Sequence, residues 1–109
     1  MKTSSANSRI IGDITRMLKA GFGDRIRDVL LYGSQARGDD GEGSDYDILV
    51  VVNGPVDWRT EDAITDTCYA ADLQYDIVTD VKVVSGDMAG SPAARPQYIE
   101  EAMAEGVRA

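Results

Sequence analysis

The sequence predicts an α/β fold in which one small mixed β-sheet carries flanking helices, in the order αβαβαβα. Apolar residues recur at helical spacing near both ends of the chain, and short apolar runs between them stop at glycines or polar turns. The 109 residues suffice for one hydrophobic core but not for a second lobe. We therefore expect a single domain over residues 1–109.

The first half of the chain predicts two helices and two strands. They are a helix over residues 6–20, a strand over 27–32, a short helix over 34–38 and a strand over 45–52. The first helix has apolar residues from Ile10 to Leu18 on one face and ends at Gly21. Gly33 stops the first strand, and Ser34 is placed to cap the short helix. Residues 38–44 have the composition of a turn.

The second half predicts a helix, a strand and a closing helix. These cover residues 57–71, 73–84 and 96–105. Ile64, Cys68 and Ala71 share one face of the first of these helices, and Gly106 follows the last one. Trp58 and Tyr69 on the 57–71 helix are candidates for a partner surface, although at least one of them is expected in the core.

Connection lengths predict how the three strands pair. The short link between the first two strands favours an antiparallel pair, and the helix before the third permits a parallel, right-handed crossover. Gly33-Ser34, the Asp45/Asp47 pair and Asp76 are therefore expected at one edge of the sheet.

Asp45 and Asp47 form the first candidate metal site. Two residues apart on a strand, their side chains leave the same face roughly 6–7 Å apart along it. Carboxylates that repel each other and lose hydration beside apolar residues have raised pKa values unless a cation is present, and Mg²⁺ prefers such oxygen ligands together with phosphates. The alternative is a polar strand start in a solvated turn. Asp76 is a third candidate, because it lies in an apolar strand start, where an unpaired carboxylate is costly.

Two other acids, Asp72 and Asp80, share the strand parity of Asp76 and remain alternatives to it. Asp72 is expected at the helix end and Asp80 further along the strand, so Asp76 is preferred.

Gly33-Ser34 opens a helix after a strand, where free N–H groups and a hydroxyl can bind phosphate. Arg37, one turn later, can pair with a triphosphate. A plain N-cap is the other reading of Ser34.

Composition excludes several function classes. The sequence has no histidine, which excludes Ser-His-Asp and Cys-His catalysis and most zinc sites. The formal net charge of −8 makes a nucleic-acid partner unlikely. The single cysteine, Cys68, and the lack of an apolar leader or membrane span favour the cytoplasm.

Together these residues resemble the nucleotidyltransferase superfamily of DNA polymerase beta, and within it the minimal nucleotidyltransferase (MNT) domains. The superfamily pattern of Gly-Ser, ten residues and Asp-x-Asp is present from Gly33 to Asp47. The fuller bacterial pattern is matched at Gly33, Ser34, Ala36, Arg37, Gly38, Ser44, Asp45 and Asp47. Asp76 matches the third aspartate of the pattern, and residues 95–107 look like the helix that closes minimal domains.

The resemblance implies attack by a hydroxyl on the α-phosphorus of ATP, with two Mg²⁺ ions on Asp45, Asp47 and Asp76. Stand-alone MNT domains pair with a small helical HEPN toxin, so it also implies an antitoxin that transfers AMP to that partner. A toxin-binding antitoxin without catalysis and a transferase for a small molecule remain alternatives. The base preference, the acceptor and a homo- or hetero-oligomeric state are left open.

Overall fold

A three-stranded mixed sheet organises the chain in the computed structural model, which describes residues 5–33, 45–89 and 96–108. The elements in order are α1 (Ser5–Phe22), a 3₁₀ turn (Gly23–Arg25), β1 (Ile26–Tyr32), β2 (Tyr46–Val52), α2 (Trp58–Tyr75), β3 (Thr79–Ser85), a short α3 (Gly86–Ala89) and α4 (Gln97–Glu105). The predicted short helix over 34–38 and the turn over 38–44 lie outside the described residues. The predicted α/β fold class is confirmed.

The strands are arranged in the order β1-β2-β3. β1 and β2 pair antiparallel, with Tyr32 opposite Asp47, and β2 and β3 pair parallel, with Asp47 opposite Asp80. Both predicted pairings are confirmed. The end of β1 therefore lies beside the start of β2, and the start of β3 lies at the same edge of the sheet.

The two faces of the sheet pack against different helices. On one face, Ile48, Val50 and Val52 join a core formed with α1 and with Ile64 and Cys68 of α2. On the other face, the core consists of β-strand residues and two residues of α4: Leu30, Tyr32, Leu49, Val51, Val84, Ile99 and Ala102. Because side chains alternate along β2, Asp47 belongs to the face that α4 covers.

The boundary between α2 and β3 differs from the prediction. The helix continues to Tyr75 and the strand begins only at Thr79, whereas a helix ending at 71 and a strand from 73 were expected. Tyr75 extends the helical series of Ile64, Cys68 and Ala71 and packs against the same core. Burial of that face keeps the chain helical, although the residues from Leu73 onward also alternate as a strand does.

Caps fix both ends of α2. At its start the Asp57 side chain accepts a hydrogen bond from the Thr60 N–H at 2.8 Å. At its end Asp76 adopts the left-handed conformation, with φ 54° and ψ 51°, and its N–H donates to the Asp72 carbonyl. This residue turns the chain out of the helix and into β3.

A short β-bridge closes the chain after α4. Leu31 and Val107 exchange two backbone hydrogen bonds, of 2.9 and 2.7 Å. No helix in the described ranges combines the length and the apolar character needed to span a membrane.

Candidate active site

The end of β1 is built around the Asp47 carboxylate. Gly33 has a φ of 76°, a conformation that favours glycine. A Cβ at this position would collide with Asp47 Oδ2 and lie 3.3 Å from Asp47 Cγ. Glycine therefore satisfies both the backbone turn and the close approach of the carboxylate. The predicted meeting of Gly33 with the Asp45/Asp47 strand is confirmed.

Asp80 is the carboxylate that the structure places opposite Asp47. The two residues are register partners in adjacent parallel strands, so their side chains leave the same face of the sheet. Asp45, exposed just before β2, precedes Asp47 by two residues. Lys82, two residues after Asp80, donates from Nζ to Asp80 Oδ1 at 2.7 Å.

Charge accumulates at this edge. Burial raises the pKa of Asp47, and the neighbouring Asp80 raises it further; Asp45 and Glu101 act in the same direction, while Lys82 opposes them. The pKa of Tyr32 is raised to about 12 by burial and then by Asp47 and Asp80. The nearby acids thus oppose the ionisation of Asp47, a condition that a bound cation relieves.

Asp45, Asp47 and Asp80 fit a magnesium site in which the substrate supplies the remaining ligands. Within residues 5–33, 45–89 and 96–108, no three acidic or cysteine side chains converge closely enough to hold one ion by themselves. Mg²⁺ commonly binds through one or two carboxylates and fills its octahedron with phosphate oxygens and water. The half-buried Asp47, with Asp80 opposite and Asp45 just before the strand, would provide the carboxylate part of such a shell.

The predicted strand position of Asp76 is wrong. Asp76 is the exposed left-handed residue that ends α2, and it precedes β3 by three positions. Asp72 lies inside α2, where its Oδ1 accepts a hydrogen bond from Thr79 Oγ1 at 2.8 Å. Asp80 alone among the three lies on β3. The sequence could have favoured Asp80 had the helical series been extended to Tyr75.

The remaining predicted site residues divide between described and undescribed parts of the chain. Ser34 and Arg37 lie outside the described residues. Lys82 was not among the predicted site residues. The sequence indicates it only through its position two residues after Asp80, on the same face of β3. Trp58 and Tyr69 are both exposed, so the expectation that one of them packs in the core is wrong.

The chain is similar to known proteins in both sequence and fold. Residues 13–104 match the sequence profile described as the nucleotidyltransferase domain. The chain is 38% identical over 80 residues to an inferred protein adenylyltransferase of Methanocaldococcus jannaschii, covering 73% of this chain and 75% of that protein. The predicted enzyme class, nucleotidyltransferase, is confirmed.

Two crystal structures resemble the fold. A toxin–antitoxin with AMP-PNP superposes with a TM-score of 0.61 at 18% identity, over 89% of this chain and 69% of the other. A mutant of the toxin–antitoxin MntA–HpeT gives a TM-score of 0.60 at 15% identity, with the same coverage. At such identities the likeness establishes the fold alone.

Proposed function

The chain belongs to the nucleotidyltransferase domain family, and we propose that it transfers AMP from ATP to a hydroxyl of a partner protein. The observation that carries this proposal is the packing of Gly33 against Asp47, with Asp80 opposite on β3. The name of the 38% identical relative, a protein adenylyltransferase, supports the acceptor class. The names of the two toxin–antitoxin structures support a toxin as that partner; the helical HEPN type is proposed from the family resemblance of the sequence.

Each residue has a distinct part in the proposed site. Asp45 and Asp47 hold Mg²⁺, and Asp80 takes the place of the third carboxylate that Asp76 was expected to fill. Glycine at position 33 permits close approach of the backbone to a phosphate, and the hydroxyl of Ser34 is the proposed donor to a phosphate oxygen. The bound ions supply charge neutralisation for the triphosphate and orient the attacking hydroxyl.

The proposed reaction exchanges a phosphoanhydride bond of ATP for a phosphoester bond to the acceptor. The acceptor oxygen bonds to the α-phosphorus of ATP, the bond from that phosphorus to the bridging oxygen breaks, and pyrophosphate leaves. The hydroxyl proton passes to a carboxylate, for which Asp80 is the candidate because it lies beside Asp47. No oxidant or further reactant is required.

Labelling with α-³²P ATP tests the proposal. The chain is incubated with Mg²⁺ and the protein encoded by its neighbouring gene, and label is expected on that protein. Asp45→Asn and Asp47→Asn each remove a metal-binding charge and should abolish the label. Asp62→Asn, an exposed change on α2, is the matched control and should label normally.

Two outcomes would contradict the proposal. Unchanged labelling by both the Asp45→Asn and the Asp47→Asn proteins would refute the assignment of these two residues as metal ligands. If the triple Asp45→Asn, Asp47→Asn, Asp80→Asn protein still protected cells from the partner, binding alone would account for the biological role.

A further inference from the structure

Three large apolar side chains near the end of α2 and the start of β3 face solvent. Tyr69 is 59% exposed, Leu73 69% and Val78 59%, whereas the apolar residues on the inner face of α2 are buried. Tyr69 and Leu73 are four residues apart and so lie on one side of α2. We call Tyr69, Leu73 and Val78 the edge surface. Clustered exposed apolar groups on a soluble domain commonly mark an interaction site.

The edge surface borders the candidate active site. The Val78 carbonyl accepts a hydrogen bond from the Tyr46 N–H at 2.8 Å, which places Val78 beside Asp45 at the edge of the sheet. Asp72 joins the end of α2 to the start of β3, because its carbonyl accepts from Ile77 N–H at 3.0 Å and its side chain from Thr79 at 2.8 Å. Leu73 follows Asp72 directly.

The charges around the edge surface are negative. Asp66, one turn before Tyr69, and Asp76, between Leu73 and Val78, are both exposed. The one basic residue of α2 is Arg59, at the opposite end of the helix. A second copy of this chain, with its net charge of −8, would place acids against acids. The surface instead fits a partner with apolar side chains bordered by Lys or Arg.

We propose that the edge surface docks the acceptor protein, through an apolar segment of that protein flanked by basic residues. Docking there places the acceptor hydroxyl at the edge where Asp45, Asp47 and Asp80 lie. The inference rests on the proposed function for the acceptor being a protein. It adds the surface that selects the acceptor and the chemistry that this surface recognises.

The test compares a double variant in the edge surface with a variant at an exposed position at the start of α2. The edge variant carries Leu73→Gln and Val78→Thr, and the control variant carries Trp58→Gln. Trp58 is 69% exposed but lies at the start of α2, away from the candidate site. Binding to the protein encoded by the neighbouring gene is measured by titration calorimetry. Circular dichroism and melting curves verify that each variant is folded.

The edge variant is expected to bind about tenfold or more weakly, because it removes apolar area from the contact. In the transfer assay its KM for the acceptor protein should rise while its KM for ATP stays constant. The Trp58→Gln protein should match the wild type in both assays. Added KCl should weaken the wild-type complex, and Asp76→Asn should reduce that salt dependence.

The outcomes separate this inference from the proposed function. If the Asp45→Asn, Asp47→Asn protein binds the partner normally but transfers no AMP, docking and catalysis depend on different residues. If the wild type binds through the edge surface but never labels the partner, the proposed function fails and the docking surface stands. Equal binding by the edge variant, no wild-type complex, or a wild-type homodimer that the edge variant abolishes would each overturn the inference.

Discussion

At the scale of single residues, Gly33 and Asp47 constrain each other. A side chain at 33 would require both a left-handed backbone conformation and displacement of the Asp47 carboxylate. We expect Gly33→Ala to lower the stability by about 1–3 kcal/mol, seen as a lower denaturant midpoint. Gly21→Ala is the control, because a Cβ at Gly21 meets nothing within 4 Å. An equal loss in both variants would contradict the argument.

The raised pKa of Asp47 predicts that this carboxylate, placed in the candidate site, lowers the stability of the fold. Because the pKa of Asp47 is higher in the folded than in the unfolded state, ionisation of Asp47 lowers the stability of the fold. This loss of stability is absent at low pH and develops as the pH rises through the folded-state pKa. In buffer with EDTA at pH 7, Asp47→Asn should therefore raise Tm. The gain should shrink toward pH 4. A gain that does not depend on pH would indicate another cause.

The relative roles of Asp80 and Asp76 can be measured without catalysis. Binding of Mn²⁺, a spectroscopic substitute for Mg²⁺, is followed by electron paramagnetic resonance in the presence of a non-hydrolysable ATP analogue. Asp80→Asn should weaken Mn²⁺ binding about tenfold, since a carboxylate beside Asp47 is lost. Asp76→Asn should leave it within about twofold, because Asp76 ends α2 outside the strand. The reverse order would restore the assignment made from the sequence pattern.

At the scale of elements, α2 positions the start of β3, so its caps affect the candidate site. Asp57 caps the first turn through Thr60, and this hydrogen bond lowers the pKa of Asp57. Stability from a lowered pKa is present above the unfolded-state value and is lost as the pH falls through the folded one. Asp57→Ala should lower Tm by a few degrees at pH 7 and by less near pH 3, in thermal melts. Asp62→Ala, in mid-helix, should not lower it.

The element boundaries show how far the sequence determines the structure. The short connection after β1 and the helical connection before β3 predicted both strand pairings correctly. The segment from Leu73 to Ile77 satisfies helical and strand periods alike, so local pattern could not place the start of β3. Packing of Tyr75 against the core decided it, and that contact depends on residues distant in sequence. Placing the strand start too early put Asp76 on the predicted strand, whereas the observed strand begins at Thr79 and carries Asp80.

At the scale of the whole molecule, negative charge exceeds positive charge. The chain carries 19 acidic and 11 basic residues, and three of the acids lie at one edge of the sheet. Self-repulsion of this kind destabilises the compact state and falls as salt screens it. The edge surface lies beside the same acids, so metal binding and partner binding should both reduce the local repulsion.

The charge balance predicts two separable effects of cations on stability. Raising NaCl from about 10 to 150 mM should increase Tm by general screening. Mg²⁺ at matched ionic strength should increase Tm further, because an ion bound only to the folded state stabilises it by mass action. In the Asp45→Asn, Asp47→Asn protein the NaCl effect should persist while the extra Mg²⁺ effect disappears. If Mg²⁺ gave the same increment in both proteins, the divalent ion would be acting on the general charge and not at the Asp45/Asp47 edge.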